Sequence, residues 1–203
     1  MKEKIILIGG GGHCRSCIDV IEQGNKFHIA GIVDMNPKIG QTVLGYKIVA
    51  CDDELHNLAK EYKYFLITVG QIKKPGIRIR LFEELKTYGI KMPIIISPHA
   101  YVSRHASIGE GSIIMHHSLV NAGARIGQNS IINTKSLIEH DAVIGDHCHI
   151  ATGALINGGA KVDDGVFIGS NVVIREYINI GKKSVIGANT AIFYDVPDGK
   201  LFQ

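Results

Sequence analysis

The chain has 203 residues, of which 45% are hydrophobic and 20% are charged, and its formal net charge is +3. This composition excludes a disordered chain, and the small charge, spread without a basic run, gives no support to binding of nucleic acid or membranes. Four cysteines are too few for a secreted disulfide scaffold, and the first apolar run is too short for a signal peptide or a membrane span. We therefore predict a globular cytoplasmic protein.

The first 97 residues alternate between strand-like and helix-like patterns. An apolar run, Ile5–Ile8, is followed by a glycine-rich turn and then by Cys14–Gln23, whose apolar residues have helical spacing. Further strands are predicted at His28–Asp34, Tyr64–Val69 and Met92–Ile96, and further helices at Asp52–Tyr62 and Arg78–Tyr88. This alternation predicts an α/β domain over residues 1–97, with a Rossmann-like parallel sheet covered on both faces.

The glycine-rich turn, Gly9–Gly12 followed by His13, opens the first predicted helix. Such a turn lets the backbone approach a phosphate group, and the helix N-terminus favours its negative charge. Asp34, at the end of the second strand, can accept hydrogen bonds from a ribose or a base. The G-x-G-x-x-G pattern of dinucleotide-binding domains is not met, because Cys14 stands in the place of the third glycine, so NAD binding is the weaker interpretation. The spacing of Cys14 and Cys17 also occurs in redox motifs, but here it favours packing on the apolar face of the helix.

A six-residue repeat organises the second half of the chain. Val or Ile occupies every sixth position from Val102 to Ile192 without an insertion. A second register, four residues after each of these positions, holds mostly small residues, including Cys148. A sustained period of this kind is typical of a parallel β-helix, whereas the strands of a β-sandwich do not keep an unbroken period. The sequence therefore predicts an all-β, β-helical domain over residues 98–203.

The segment from Asn133 to His149 contains the residues best suited to chemistry. His140 follows the inward-facing Ile138 by two places, so its side chain should point outward, where a neutral imidazole is a suitable general base near pH 7. The repeat resembles that of the hexapeptide-repeat acyltransferases, which implies coils of three hexads that stack every eighteen residues. Gly158 should then lie beside His140 and leave room for a thioester, whose oxygen its backbone N–H can contact. On the residues alone, a merely solvated histidine beside a corner glycine is an equally good interpretation.

Both halves together resemble one group of bacterial sugar acyltransferases, the sialic acid O-acetyltransferases and bacillosamine N-acetyltransferases. The resemblance rests on the Gly-rich strand–turn–helix at the start and on the N-T-x-S-x-I-E-H segment that ends at His140. It implies that the repeat forms a left-handed β-helix, that the chain assembles as a homotrimer, and that acetyl-CoA is the co-substrate.

The resemblance also implies roles for individual residues. His140 is expected to be the general base, and Asp141 the acidic residue that raises its basicity. Contacts with acetyl-CoA are expected at His149, Ser170 and Ala188, and also at Gly158 from its place one coil beyond His140. Contacts with a nucleotide-linked sugar are expected at Gly11, Gly12, His13 and Asp34.

The expected reaction is acetyl transfer to the amino group of a nucleotide-linked amino sugar, with a UDP-linked sugar as the leading candidate. O-acetylation of sialic acid or a related nonulosonic acid is the alternative within this class. A zinc hydro-lyase is a weaker alternative, because Cys148 of the triplet His147-Cys148-His149 belongs to the inward register, and no metal site is predicted. A non-catalytic module that senses nucleotides through the glycine-rich turn is the last alternative. His116 and His117 are expected at the surface or between subunits, without a role.

Overall fold

The structure, a computed structural model, describes residues 2–202 of the chain. Contacts divide the chain into two compact units. One, the α/β unit, consists of Met1–Gly70 and Gly76–Pro93; the other, the β-helix unit, consists of Gln71–Pro75 and Ile94–Gln203. Each unit has a hydrophobic core of its own.

The α/β unit is a five-stranded sheet with three helices. Its strands are β1 (Glu3–Ile8), β2 (Phe27–Val33), β3 (Thr42–Val43), β4 (Tyr46–Ala50) and β5 (Tyr64–Ile67), and its helices are α1 (Gly12–Gly24), α2 (Leu55–Glu61) and α3 (Gly76–Thr87). The strand order is β3-β4-β2-β1-β5, and all neighbours are parallel except β3 and β4. The parallel strands therefore place the ends of β1, β2, β4 and β5 at one edge of the sheet, which is where α/β folds bind ligands.

The predicted Rossmann-like sheet is confirmed, with three local differences. The antiparallel β3–β4 pair was not predicted. The predicted helix Asp52–Tyr62 divides into a 3-10 turn, Asp52–Glu54, and α2. Only Ile95–Ile96 of the predicted strand Met92–Ile96 is a strand, and it pairs with the β-helix instead of the α/β sheet. Lys91, directly before this segment, forms a single parallel bridge with Tyr64 of the α/β sheet. Pro93, which has no N–H to donate to a ladder, separates that bridge from the strand Ile95–Ile96.

The β-helix unit consists of two-residue strands separated by tight corners. These strands are β6 (Ile95–Ile96), β7 (Tyr101–Val102), β8 (Ser107–Ile108), β9 (Ile113–Ile114), β10 (Leu119–Val120), β11 (Arg125–Ile126), β12 (Ile131–Ile132), β13 (Leu137–Ile138), β14 (Val143–Ile144), β15 (His149–Ile150), β16 (Leu155–Ile156), β17 (Lys161–Val162), β18 (Phe167–Ile168), β19 (Val173–Ile174), β20 (Asn179–Ile180), β21 (Val185–Ile186), β22 (Ala191–Ile192) and β23 (Leu201–Phe202). They form three parallel sheets, and from β6 to β22 the register pairs residues eighteen apart, such as Ile138 with Ile156. The predicted left-handed β-helix is confirmed.

The repeated aliphatic residues form the core of this unit. From Ile114 to Ile192 each of them is buried, and the small residues of the second register pack between them. Val102 and Ile108 are only half-buried, because they lie in the first coil, which has a neighbouring coil on one side only. Burial of one aliphatic side chain contributes about 1.5 to 3 kcal/mol, so the continuous stack holds the corners rigidly in place.

The corners have a regular backbone conformation. Every sixth residue from Gly111 to Asn189 has a positive φ, between 50° and 76°. Glycine and asparagine occupy most of these positions, since this left-handed conformation costs other residues about 1 to 2 kcal/mol. Asp141 is one of the exceptions, with φ 60°. His140 therefore lies directly before the turning point of its corner.

No helix in residues 2–202 combines the length and the hydropathy that a membrane span requires.

Candidate active site

His140 projects from a corner of the β-helix, as expected from its place in the repeat. Its side chain is 53% exposed, and its Nδ1 lies 3.0 Å from Oδ2 of Asp141. Because a carboxylate can only accept, Nδ1 carries the hydrogen of the neutral ring and Nε2 keeps its lone pair. The ring is thus oriented as a base that takes a proton at Nε2, with a carboxylate behind it to stabilise the charged form.

Gly158 lies beneath this ring, one coil further along the chain. A Cβ built on Gly158 would be 2.6 Å from Nε2 of His140 and 2.7 Å from Cε1. The His140 ring can therefore take this position only because Gly158 has no side chain. The φ of Gly158 is not positive, so its backbone would accept alanine. The Cβ of that alanine would nevertheless clash with the His140 ring.

The backbone N–H of Gly158 differs from its equivalents on the same corner. The N–H groups of His140 and Ala122, one and two coils earlier, are capped by the side-chain oxygens of Glu139 and Asn121. At Gly158 the preceding Asn157 turns its amide away and donates to the carbonyl of Ile174. Among the described residues, no acceptor is hydrogen-bonded to the Gly158 N–H. A buried, unused N–H beside a base is a suitable donor for a developing oxyanion.

Glu139 is a further member of the site, and the sequence analysis did not single it out. Its Oε2 accepts hydrogen bonds from the backbone N–H of His140 and from Nδ2 of Asn121, at 3.0 and 2.9 Å. Both hydrogen bonds lower the pKa of the Glu139 carboxyl below its usual range, and the bond from His140 has the larger effect. The glutamate thus remains charged and braces the backbone that carries the base. In the sequence, only its position directly before His140 pointed to a role for Glu139 in the site.

The carboxylate of Asp141 occupies space that is free because Gly123, one coil earlier, has no side chain. A Cβ built on Gly123 would be 2.3 Å from Oδ1 of Asp141, so the carboxylate occupies the space that a larger residue would fill. The next coil repeats the arrangement, because the ring of Tyr177 lies over Gly159 in the same way. The exposed rings of His140 and Tyr177 therefore lie against the neighbouring residues Gly158 and Gly159.

His149 is placed differently from His140, because it is 92% buried, with 8% of its surface exposed. Its Nδ1 donates to the carbonyl oxygen of Gln71, which can only accept, so Nε2 accepts the hydrogen bond from Nδ2 of Asn133 at 3.1 Å. Both ring nitrogens are thus engaged by the chain itself. The expected contact of His149 with coenzyme A stays a prediction.

Gln71–Pro75 forms a strap over this part of the β-helix, which the sequence analysis missed. The side chain of Gln71 is 2% exposed and donates to the carbonyl oxygen of His147 at 3.1 Å. Pro75 packs against Gly165, where a Cβ would lie 3.2 Å from its Cγ. The strap contacts residues more than seventy positions away, and no local pattern could have revealed that.

The other two predicted coenzyme contacts lie further along the β-helix. Ser170 is half-buried and Ala188, one coil beyond it, is exposed. The backbone N of Ala188 would lie 2.6 Å from a Cβ on Gly169, so these coils approach closely. Neither residue contacts His140 or Asp141 directly in the contacts described for residues 2–202.

The glycine-rich turn of the α/β unit is braced by Asp34. Oδ2 of Asp34 accepts from the N–H of Gly10 and from Nζ of Lys38, both at 2.9 Å, and Oδ1 accepts from the N–H of Met35 at 2.7 Å. Burial acts to raise the pKa of Asp34, but these three hydrogen bonds outweigh it, and the pKa lies below its usual value. The carboxylate is therefore charged and already engaged by the chain.

The predicted sugar-nucleotide residues that follow in the turn are open. Gly11 and Gly12 are exposed, and a Cβ on either would meet nothing within 4 Å. Gly11 precedes α1 as its N-cap without a side-chain cap, so the helix N-terminus is accessible to an anion. His13 is half-buried, and its Nε2 lies 3.4 Å from Sγ of the buried Cys17. The turn thus combines an open backbone with one imidazole.

Other histidines and cysteines do not assemble into a metal centre. Within residues 2–202 no group of three His, Cys, Asp or Glu side chains is placed to hold a metal ion. Cys148 is fully buried in the core, and burial raises the pKa of its thiol to about 12. The rings of His99, His116 and His117 lie near one another at a separate corner, with centroids 5.5 to 6.5 Å apart.

Family models match parts of both units of the chain. A family model described as the PglD N-terminal domain matches residues 4–85, and one described as bacterial transferase hexapeptide, six repeats, matches residues 123–158. A comparison with the curated proteins finds no significant match.

Several solved structures share the whole fold. A histidine-to-asparagine variant of perosamine N-acetyltransferase from Caulobacter crescentus, in complex with CoA and GDP-perosamine, is 28% identical with a TM-score of 0.91, over 98% of this chain and 92% of that chain. The acetyltransferase domain of PglB from Neisseria gonorrhoeae, in complex with acetyl coenzyme A, is 28% identical with a TM-score of 0.89, over 99% of this chain and 96% of that chain. WeeI from Acinetobacter baumannii shares the fold at 22% identity, with a TM-score of 0.82 over 98% and 96% of the two chains. The resemblance drawn from the sequence is thereby confirmed: the chain has an N-terminal domain of the PglD type and a bacterial transferase hexapeptide repeat, and over nearly its whole length it is similar to sugar N-acetyltransferases.

Proposed function

We propose that the protein transfers an acetyl group from acetyl-CoA to the amino group of a nucleotide-linked amino sugar, with His140 as general base. One observation carries the proposal. The His140 ring, bonded to Asp141 at Nδ1, presents Nε2 at Gly158, whose N–H is unused within the described residues. A base and an oxyanion donor thus lie side by side at one corner.

The similar structures support the choice of substrates. One contains CoA and GDP-perosamine together, and another contains acetyl coenzyme A. Two structures of the perosamine enzyme carry a replacement of a single histidine, by asparagine and by alanine. Because that enzyme is named as an N-acetyltransferase, transfer to nitrogen is favoured over transfer to oxygen.

The residues of this chain account for each proton that must move. Acetyl-CoA supplies the acetyl group as a thioester, whose carbonyl carbon is already reactive. Nε2 of His140 takes a proton from the attacking amino group, and Asp141 stabilises the resulting imidazolium through the Nδ1–H bond. The N–H of Gly158 donates to the oxygen that becomes negative, and the imidazolium returns its proton to the departing sulfur.

The remaining contacts belong to the same proposal. His149, Ser170 and Ala188 contact the coenzyme, and His149 does so from the position that Gln71 and Asn133 give it. In the α/β unit, Gly11, Gly12 and His13 receive the phosphates of the sugar nucleotide at the start of α1, and Asp34 holds the turn that presents them. The active protein is a homotrimer in the cytoplasm, which sedimentation would report as three times the chain mass of 22.1 kDa.

The test is a coenzyme A release assay with purified protein, acetyl-CoA and a panel of nucleotide-linked amino sugars and free sialic acids. We expect one amino sugar to gain an acetyl group, measured by mass spectrometry. The His140→Asn variant should lose about 10²- to 10⁴-fold in kcat, the usual contribution of a general base. His117→Asn is the matched control, an exposed corner histidine more than one coil away, and should keep full activity. Full activity in His140→Asn, or acetylation of sialic acids alone, would contradict the proposal.

A further inference from the structure

A cavity lies at the carboxyl edge of the α/β sheet, on the side of α3. It has a volume of about 370 Å³, within the range of small-molecule sites. Its walls are apolar and come from the ends of three strands and from α3: Ile8, Val33, Val69, Ile77 and Leu81. Flat aromatic ligands suit a slot of this kind, because both of their faces are apolar.

The position of the cavity relates it to the glycine-rich turn. Ile8, in its wall, is the last residue of β1, and the turn Gly9–Gly12 follows directly. A nucleotide whose phosphates contact the turn therefore has this slot within reach of its base. This step rests on the function proposed above, which puts a nucleotide-linked sugar at the turn.

Three charged side chains line the cavity: Asp34, Asp52 and Arg80. Both carboxylate oxygens of Asp34 already accept hydrogen bonds from the chain, so Asp52 and Arg80 are the pair left to contact a ligand. Oδ2 of Asp52, which begins the 3-10 turn after β4, lies 3.1 Å from Nη2 of Arg80, on α3. Both side chains are about half exposed, at 44% and 56%, so a ligand can reach them. Arg80 also forms an ion pair with a residue that does not line the cavity: its Nη1 lies 3.3 Å from Oε2 of Glu84. Oδ1 of Asp52 accepts no hydrogen bond from the described residues.

The pair presents a specific sequence of hydrogen-bonding groups. Arg80 offers N–H donors, and Asp52, immediately beside it, offers carboxylate oxygens that only accept. The complementary ligand edge has one acceptor followed by two donors. Among the common nucleobases, guanine has this edge, with the acceptor O6 followed by the donors N1–H and N2–H.

We propose that the Asp52–Arg80 pair recognises guanine, and that the sugar nucleotide of this protein is therefore GDP-linked. Arg80 donates to O6, and Asp52 accepts from N1–H and N2–H. Uracil and thymine offer Asp52 a single donor, N3–H, and place a second carbonyl oxygen where guanine has N2–H. Adenine offers one donor and one acceptor. The inference replaces the UDP-linked sugar that the sequence alone favours.

The experiment is isothermal titration calorimetry of the full-length protein with GDP, UDP, dTDP and ADP, without acetyl-CoA. GDP should bind about tenfold to a hundredfold more tightly than the others, because one additional hydrogen bond to a charged group is worth about this factor. In Asp52→Asn the preference should fall to less than about threefold, since the amide replaces an acceptor by a donor. Arg80→Gln should weaken GDP binding as well, through loss of the bond to O6.

Glu84→Gln is the matched control, because it removes the other carboxylate that contacts Arg80 and does not line the cavity. This variant should keep the preference for GDP. Equal binding of the four nucleotides, or a preference for another base, would overturn the inference. A preference for GDP that survives in Asp52→Asn would also overturn it. Circular dichroism and the melting temperature verify that each variant is folded.

The outcomes separate this inference from the proposed function. Selective binding of GDP that depends on Asp52, together with no acetyl transfer to any sugar, would leave the inference standing and reject the acetyltransferase proposal. Acetylation of a UDP-linked sugar, without preferential binding of GDP, would do the reverse.

Discussion

Replacing Gly158 by alanine tests whether the position of the His140 ring determines the rate. The backbone at Gly158 accepts a side chain, because its φ is not positive. A Cβ there would lie 2.6 Å from Nε2, whereas ordinary contact begins at 3.4 Å. The ring must therefore withdraw by about 0.8 Å. The imidazole is the mobile partner, since half of it is exposed and the glycine belongs to a rigid coil.

The two effects of this displacement differ greatly in size. The bond between Nδ1 and Asp141, now 3.0 Å, lengthens towards the limit of a hydrogen bond. Stability changes little, because an exposed pair of this kind contributes about 0 to 1 kcal/mol. A reacting group displaced by about 1 Å loses about 10²-fold in rate, so kcat should fall by about that factor. Coenzyme A release under saturating substrates and a thermal melt measure the two quantities.

The control for this prediction is Gly76→Ala. Gly76 also has no positive φ, and a Cβ there would meet nothing within 4 Å. This variant should keep its kcat and should not be less stable than the parent. If Gly158→Ala retains kcat within about threefold while the protein stays folded, the contact between ring and glycine does not control catalysis, and the reasoning fails.

Four further predictions concern stability and reactivity. Ile156→Ala should lower the free energy of unfolding by about 2 to 5 kcal/mol in urea titrations, because Ile156 is fully buried in the β-helix core. Lys135→Asn should raise it by about 0.5 to 1 kcal/mol, because Lys135 has φ 60° and asparagine tolerates that conformation better. Because the pKa of Asp34 is lowered, folding favours its charged form. The resulting contribution to the free energy of unfolding is present above about pH 4 and is lost as pH falls through the folded-state pKa. In Asp34→Asn, the free energy of unfolding measured against pH should lose this dependence. Ellman's reagent should label one thiol rapidly in the native protein, that of the half-buried Cys51, because the other three cysteines are buried, and slow labelling of all four would contradict this.

The β-helix was predictable because its geometry is periodic. Each coil must return to the same face after eighteen residues, so the aliphatic positions recur at a fixed interval that can be read from the sequence. This interval, together with the three hexads per coil that the family resemblance implies, predicted that Gly158 lies beside His140. The corner residues with positive φ were harder to predict from the sequence. They stand three places after each aliphatic residue, where Asp141 and Tyr177 interrupt the glycines and asparagines that would mark a turn.

Contacts outside the repeat were not predictable. The strap Gln71–Pro75 has no periodic pattern, and its partners His147 and His149 are fixed by the fold of the whole unit. The pair Asp52–Arg80 joins two segments of the α/β unit, each of which alone reads as an ordinary charged helix end. The β3–β4 pair was missed for another reason. Its strands have two and five residues, and Leu44 takes a positive φ in the turn between them, which a leucine does not signal.

The stacking of coils also limits how a gene for such a protein can change in length. A tandem duplication of eighteen codons adds one complete coil and restores the register of every strand above it. Inserted after Gly158, such a coil would leave the base and its glycine in contact. Inserted between Asp141 and Gly158, it would place a different residue under the imidazole. Lengthening of the prism is therefore compatible with catalysis on either side of this pair of coils and incompatible with it between them.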